Sequence, residues 1–217
     1  MLSPGRDCPL CPRLRSFREE NRVRFPDWHN APVPSFGSDG ALLLIVGLAP
    51  GLRGANRTGR PFTGDFAGEL LFATLRKYRL AEGEYARASD DGLRLTGCRI
   101  TNAVRCVPPL NRPTPVEMRT CGAFLRSEIA GLPRLKAVLA LGQLAHDAVL
   151  ATLDLPRARF PFAHGALHRP SAGPLLADSY HCSRQNTNTG RLTVAMFEAV
   201  FSRLLHALAP RREPEDV

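Results

Sequence analysis

Four cysteines carry the most distinctive chemistry available to this 217-residue chain. Cys8 and Cys11 form a C-x-x-C pair near the N-terminus. Cys106 and Cys121 lie far downstream, with fourteen residues between them. Two thiolates on one short loop converge on one metal, and a second, looser pair completes four-sulfur coordination. Zinc and an iron–sulfur cluster both accept four thiolates, and the spacing alone fits either one. Either would tie the N-terminal segment back onto the middle of the fold. Disulfide pairing is the competing reading, but nothing else in the chain resembles a secreted protein.

Three further segments hold candidate binding groups. The stretch GLAPGLRGANRTGRPFTGD, residues 47–65, offers glycine backbone amides, one aromatic (Phe62) and one acid (Asp65). It contains neither G-K-[ST] nor G-x-G-x-x-G, which argues against nucleotide-triphosphate and dinucleotide binding. Asn102 carries a donor and an acceptor side by side, so its carboxamide can read one base edge through two hydrogen bonds. His181 precedes CSRQNTNTGRLT, which holds Ser183, Arg184 and Asn186. Taken singly, Asn102 reads as a turn residue and His181 as an ordinary histidine. Their meaning depends on whether the fold brings them together.

The elements that would do so are legible in the hydrophobic pattern. Apolar runs at 41–46, 98–104, 136–141 and 174–180 predict strands. Amphipathic or capped stretches predict helices over 14–25, 65–78, 114–129, 143–152 and 193–208. The third of these helices opens with a capping box, Thr114-Pro115-Val116-Glu117. Residues 79–97 read as irregular and CSRQNTNTGRLT as a polar loop. Strands alternating with helices predict an α/β fold, a three-layer αβα sandwich around a mainly parallel four-stranded sheet. Residues 1–209 read as one domain, and 210–217 as a disordered tail. Ligands in such sheets bind beyond the carboxyl ends of the strands. The three unusual segments each follow a strand, so they are expected to form one composite site.

The formal net charge of +9 favours a polyanionic partner, nucleic acid first, although a compositional bias towards arginine would also produce it. Arg53, Arg57 and Arg60 interleave with glycines in the first segment, and Arg184 and Arg191 lie in the third, as expected of a surface that meets phosphates. No apolar run is long enough to span a bilayer, and the first residues lack the apolar stretch of a signal peptide. A reducing cytoplasm fits thiolate–metal ligation.

Together, GLAPGLRGANRTGRPFTGD with AGELLF, ITNAVRCVPPLNRPTP, and SYHCSRQNTNTGRLT resemble the three signature segments of the type-b (family 5) uracil-DNA glycosylases. The four cysteines match that family's 4Fe–4S ligands, and the resemblance spans roughly residues 5–208. It implies a monofunctional glycosylase of DNA repair that flips out uracil, and other deaminated bases such as hypoxanthine and xanthine, and leaves an abasic site. Its partners would be double- and single-stranded DNA, and it would act as a monomer. By resemblance, Cys8, Cys11, Cys106 and Cys121 hold a 4Fe–4S cluster. Gly47, Ala49, Phe62 and Asn102 bind the base, with Phe62 stacking on it. Asp65 and His181 are catalytic, and Arg57, Arg184, Gln185 and Asn186 meet the DNA, with Arg184 or Gln185 as the wedge.

Two positions depart from wider patterns. Leu48 stands where related glycosylase families carry a polar, water-activating residue, which leaves Asp65 as the candidate acid. Cys182 replaces the proline of the usual H-P-S, so His181 is expected to be less rigidly held. Cys98 is expected in the core. A non-catalytic iron–sulfur DNA-binding module and an iron–sulfur electron carrier are the competing functions; the carrier has no use for Asn102 or Phe62.

Overall fold

The computed structural model describes residues 1–209; the expected tail at 210–217 lies outside the described residues. In chain order the elements are α1 (Pro12–Arg24), β1 (Phe36–Gly37), β2 (Leu43–Gly47), α2 (Ala55–Thr58), α3 (Phe66–Lys77), β3 (Ala81–Glu82), β4 (Arg94–Leu95), β5 (Cys98–Asn102), α4 (Pro115–Ala130), β6 (Ala137–Leu141), α5 (Gln143–Thr152), β7 (Leu167–His168), β8 (Leu175–Ser179), α6 (Arg184–Asn188) and α7 (Val194–Leu208). The main sheet runs β1-β5-β2-β6-β8-β7.

Its four central strands are parallel, as expected, and β2, β6 and β8 are buried at every residue. Strands covered on both faces read as unbroken apolar runs, which is why ALLLIV and KAVLAL stand out in the sequence. The sheet has six strands rather than four. The two extra ones, β1 and β7, are two-residue antiparallel strands that cap the edges. Strands that short leave no apolar periodicity to read, and they blunt the edges against further pairing. A second small ladder, β3 with β4, lies within the stretch expected to be irregular.

Side-chain alternation divides the core into two layers. Leu43, Ile45, Ile100 and Leu139 face α3 and α7, where Phe72, Phe197 and Phe201 are fully buried. Leu44, Val46, Val138 and Leu176 face α4 and α5, against Leu125 and Leu150. Each such aromatic or aliphatic side chain contributes about 1.5–3 kcal/mol by leaving water. The capping box at Thr114 forms as expected: its hydroxyl accepts from the Glu117 amide and the Glu117 carboxylate accepts from the Thr114 amide. Because β2, β5 and β8 all run the same way, the chain leaves Gly47, Asn102 and Ser179 at one edge of the sheet. Gly47 and Asn102 are direct partners in the ladder.

A buried polar cluster sits beside this frame. Asp178 on β8 accepts from His146 Nδ1 at 2.7 Å and from His168 Nε2 at 2.9 Å. His146 Nε2 meets the Phe160 carbonyl at 2.9 Å. Both His146 partners are acceptors, an arrangement that favours the doubly protonated ring. Burial alone would lower its pKa, but the Asp178 hydrogen bond and charge outweigh that and raise it.

Candidate active site

The three loops close around a cavity of about 560 Å³, within the size range of small-ligand sites. Leu48, Ala49, Phe62, Asp65, Asn102 and His181 are on its wall. Gly47 lies just behind them. A Cβ on Gly47 would stand 2.5 Å from Asn102 Oδ1 and 2.7 Å from Phe62 Cζ. Only glycine lets the ring and the carboxamide come together over the end of β2.

Phe62 is held in a left-handed backbone conformation, φ +55°, which is an outlier for a bulky side chain. Its carbonyl accepts from the Tyr85 hydroxyl at 3.3 Å, and its ring lies 5.8 Å from the His181 ring at 27°. Phe62 is 6 % exposed and lines the cavity. Asn102 is buried at the end of β5, yet its side chain makes no hydrogen bond among the described residues. The His181 imidazole likewise has no protein partner there. Burial pulls its pKa down to about 4, so at neutral pH the ring is uncharged and can donate one N–H.

Asp65 is the only carboxylate on the cavity wall among the described residues. It caps α3, with Oδ1 accepting from the Gly68 amide at 3.3 Å. Its other oxygen lies against Gly54, where a Cβ would stand 2.5 Å away. Burial raises its pKa, opposed by the amides of Gly68 and Ala67. The cap and the cavity wall are therefore one carboxylate.

The segment expected to be a polar loop holds a short helix, α6, capped by Ser183, whose hydroxyl accepts from the Asn186 amide. Arg184 and Gln185 reach the cavity rim, and the Arg184 guanidinium lies 5.3 Å over the Phe66 ring. Asn186 is used differently from the expectation. Its Nδ2 donates to the His181 carbonyl at 2.8 Å. Together with the full burial of Cys182, this anchors the backbone of His181 where a proline was expected to be needed. Burial also pushes the Cys182 thiol far up, which leaves it inert. Cys98 is buried in the core as expected.

The arginines of the first loop divide. Arg57 is exposed, with Nε donating to the Arg53 carbonyl at 3.0 Å. Arg60 is buried, forms a bidentate pair with Asp91 at 2.8 Å and lies over the Phe36 and Phe72 rings, so it has no part in a phosphate surface. Asp91 is held at a pKa of about 2 by that pair. Asp91 is 31 residues from Arg60, and no local pattern connects them. Phe66 and Asn111 also line the cavity, and nothing in their local sequence singles them out.

The four cysteines gather at a separate cleft, where Cys106 and Cys121 are buried and Cys8 and Cys11 half-buried beside Leu14 and Phe124. Two observations bear on what they could hold. Arg18 is 2 % exposed and has no carboxylate partner among the described residues; Nη1 points at Cys106 Sγ at 3.5 Å, and Nε has no partner at all. A buried guanidinium needs an anion, and metal-bound thiolates supply one. The Arg105 amide also donates to Cys121 Sγ at 3.3 Å. Second, no three of these sulfurs lie mutually within 4.8 Å; among the described residues, that closeness is reached only by His146, His168 and Asp178. Tetrahedral zinc at about 2.3 Å would bring its sulfurs to about 3.8 Å from one another. The cysteines fit a cluster, which spreads its ligands over several irons, better than a single ion.

Comparison with known proteins agrees with this geometry. The family model described as "Uracil DNA glycosylase superfamily" matches residues 34–205. A protein of Thermus thermophilus named "Type-5 uracil-DNA glycosylase" is 47% identical over 88% of this chain and 89% of its own length. Proteins of the same name from Mycobacterium leprae and Pyrobaculum aerophilum are 43% and 42% identical, over 89% and 91% of this chain and 88% and 87% of their own lengths.

Proposed function

This chain belongs to the uracil-DNA glycosylase superfamily, among its type-5 members, and we propose that it hydrolyses the N-glycosidic bond of uracil in DNA and leaves an abasic site. The observation that carries this reading is the pair of unpartnered groups, Asn102 and His181, at a cavity walled by Phe62. Both open onto the cavity with their hydrogen-bonding capacity unused by the protein, so a ligand there can complete them.

A glycosylase must take the nucleotide out of the stack, at a cost of a few kcal/mol. The flipped uracil then stacks on Phe62, against the backbone of Gly47 and Ala49. Asn102 Oδ1 accepts from uracil N3–H, and Nδ2 donates to O4. Cytosine presents the opposite pattern and is rejected. The neutral His181 ring donates to O2, where negative charge grows as the bond breaks. Asp65 stabilises the oxocarbenium-like sugar or orients the attacking water. Leu48, on the same wall, can do neither. Arg57, Arg184 and Gln185 face the DNA backbone, and Asn186 positions His181.

The substrate range follows from the same edge. Hypoxanthine and xanthine present an N1–H and an O6 in the order that uracil presents N3–H and O4, so Asn102 accepts all three. Guanine shares this edge but sets an amino donor where His181 also donates. Leu48 adds no polar group that would reject a purine. Cys8, Cys11, Cys106 and Cys121 hold a 4Fe–4S cluster, which supplies a structural link between the N-terminal segment and α4. The protein acts as a single-domain monomer on double- and single-stranded DNA, in the cytoplasm. Among the described residues no helix is long and apolar enough to cross a membrane.

The test is single-turnover base release from DNA carrying uracil, hypoxanthine, xanthine or thymine opposite each base. Release of uracil and of both deaminated purines is expected. Duplex binding without any base release would instead leave the non-catalytic DNA-binding module. Iron analysis of anaerobically purified protein is expected to give about four irons per chain; stoichiometric zinc without iron would overturn the cluster.

A further inference from the structure

Leu110 is 89 % exposed, at the tip of the loop that leads from β5 to α4. Its backbone is left-handed, φ +56°, and Asn111 beside it is left-handed too, φ +55°. Two consecutive non-glycine residues in this region are strained, and a branched side chain such as leucine is disfavoured there. Nothing in the fold compensates, because the Leu110 side chain is almost wholly in water. The strain is nonetheless held firmly. Pro108 and Pro109 fix the approach, and the Asn111 and Arg112 amides donate to the carbonyls of Pro108 and Pro109 at 3.1 Å. Arg13 donates to the Arg112 carbonyl at 3.0 Å while paired with Glu117 of the α4 capping box. A braced loop therefore presents one apolar side chain outward, and its neighbour Asn111 lines the cavity.

The strand order gives this tip a direction. β5 and β8 lie on either side of β2 and β6, so the loop after β5 and helix α6 after β8 border the cavity mouth from opposite sides. The Arg184 side is already occupied by its own stacking on Phe66. We infer that Leu110 is an apolar wedge that enters the base stack beside the extruded nucleotide, from the rim opposite Arg184. Apolar side chains of this size insert between base steps and hold them apart, and Leu110 is left almost wholly free of packing in the unbound protein. This inference rests on the proposed function, since it assigns a duplex to the mouth of the cavity.

Its signature is a difference between substrates, because a wedge matters only where there is a stack to open. Leu110→Ala and Leu110→Gly are expected to lower the ratio of duplex to single-strand excision rates by about tenfold or more, while Leu110→Met keeps it near wild type. Gly removes the backbone strain, so the melting temperature of that variant is expected to hold or rise. An unchanged ratio in both the Ala and Gly variants, or an equal loss on both substrates, would overturn the wedge. The same variants are compared on a duplex with 2-aminopurine next to the target base. Wild-type protein is expected to raise its fluorescence by unstacking it, and Leu110→Gly to lose that rise. If the wild type released no base from either substrate, the proposed function would fail on its own. The fluorescence comparison would still decide for or against insertion.

Discussion

Two histidines in this molecule, the buried His146 and the half-buried His181, do opposite things. His146 has both ring nitrogens on acceptors, and Asp178 beside it is bound by two histidines. Both ring nitrogens of His146 and both carboxylate oxygens of Asp178 have their partners inside the protein. His181 has none inside the protein, and neither does the Asn102 side chain, although both are packed against Phe62 and Gly47. In the first cluster His146 and Asp178 satisfy each other within the fold. The second is complete only with a ligand. Residue type is alike in the two places, and unused hydrogen-bonding capacity facing a cavity is what separates a site from a structural cluster.

The largest test of this contrast is His146→Leu. It leaves the buried Asp178 carboxylate with His168 as its one remaining histidine partner and is expected to cost about 3–5 kcal/mol of stability. Single-turnover excision by the fraction that remains folded should stay near wild type. A large loss of rate at unchanged melting temperature would mean that His146 belongs to the site.

Asp65→Asn comes next. Asn caps a helix about as well as Asp, so stability should hold while the rate falls roughly 10²-fold or more. Wild-type activity in this variant would reduce Asp65 to a cap and leave catalysis to His181 and backbone amides. Burial raises the Asp65 pKa, so the acidic limb of the wild-type pH–rate profile should lie above the ordinary carboxylate range. That limb should vanish in Asp65→Asn.

Asn102→Ala removes two hydrogen bonds to the base, each about 1–3 kcal/mol, and creates no orphan inside the protein. Excision should drop accordingly, while the melting temperature and the affinity for undamaged duplex stay as they were. Weakened duplex affinity with full excision would place Asn102 on the phosphate backbone.

The smallest effect is the most direct comparison, a residue-resolved NMR titration of the two rings. The folded pKa of His181 is depressed to about 4, below the usual value near 6.5. The unfolded chain takes up that proton first, so the His181 contribution to stability is intact above about pH 6.5 and is lost as pH falls towards about 4. The folded pKa of His146 is raised. Its contribution is fully present below about pH 6.5 and is lost as pH rises through the folded value. Two histidines titrating together near 6.5 would erase the distinction.

Much of this protein was legible from the chain alone. The central strands are covered on both faces, so their apolar runs were visible, and Gly142, Asp65 and Thr114 marked helix starts that formed where expected. The order of strands and helices implied a parallel sheet, and that in turn implied one site beyond the ends of β2, β5 and β8. The C-x-x-C pair and the later cysteines pointed to one cleft. Such features are local or periodic, and a one-dimensional pattern can carry them.

What the tertiary structure decided was the use of each polar group. Arg57 and Arg60 look equivalent in the sequence, yet Arg60 is taken by Asp91, 31 residues away, and Arg57 is not. Asn186, expected at the DNA, is drawn inward to the His181 carbonyl, which removes the need for a proline there. Arg18 lies on a helix rich in charged residues, and only packing shows that it is buried against Cys106 without a carboxylate. Leu110 became conspicuous only through its backbone angle and exposure. Hydrogen bonds and ion pairs form at about 3 Å, between groups that chain order leaves far apart. Which partner a side chain finds, or whether it is left for a ligand, is therefore settled only when the chain has folded.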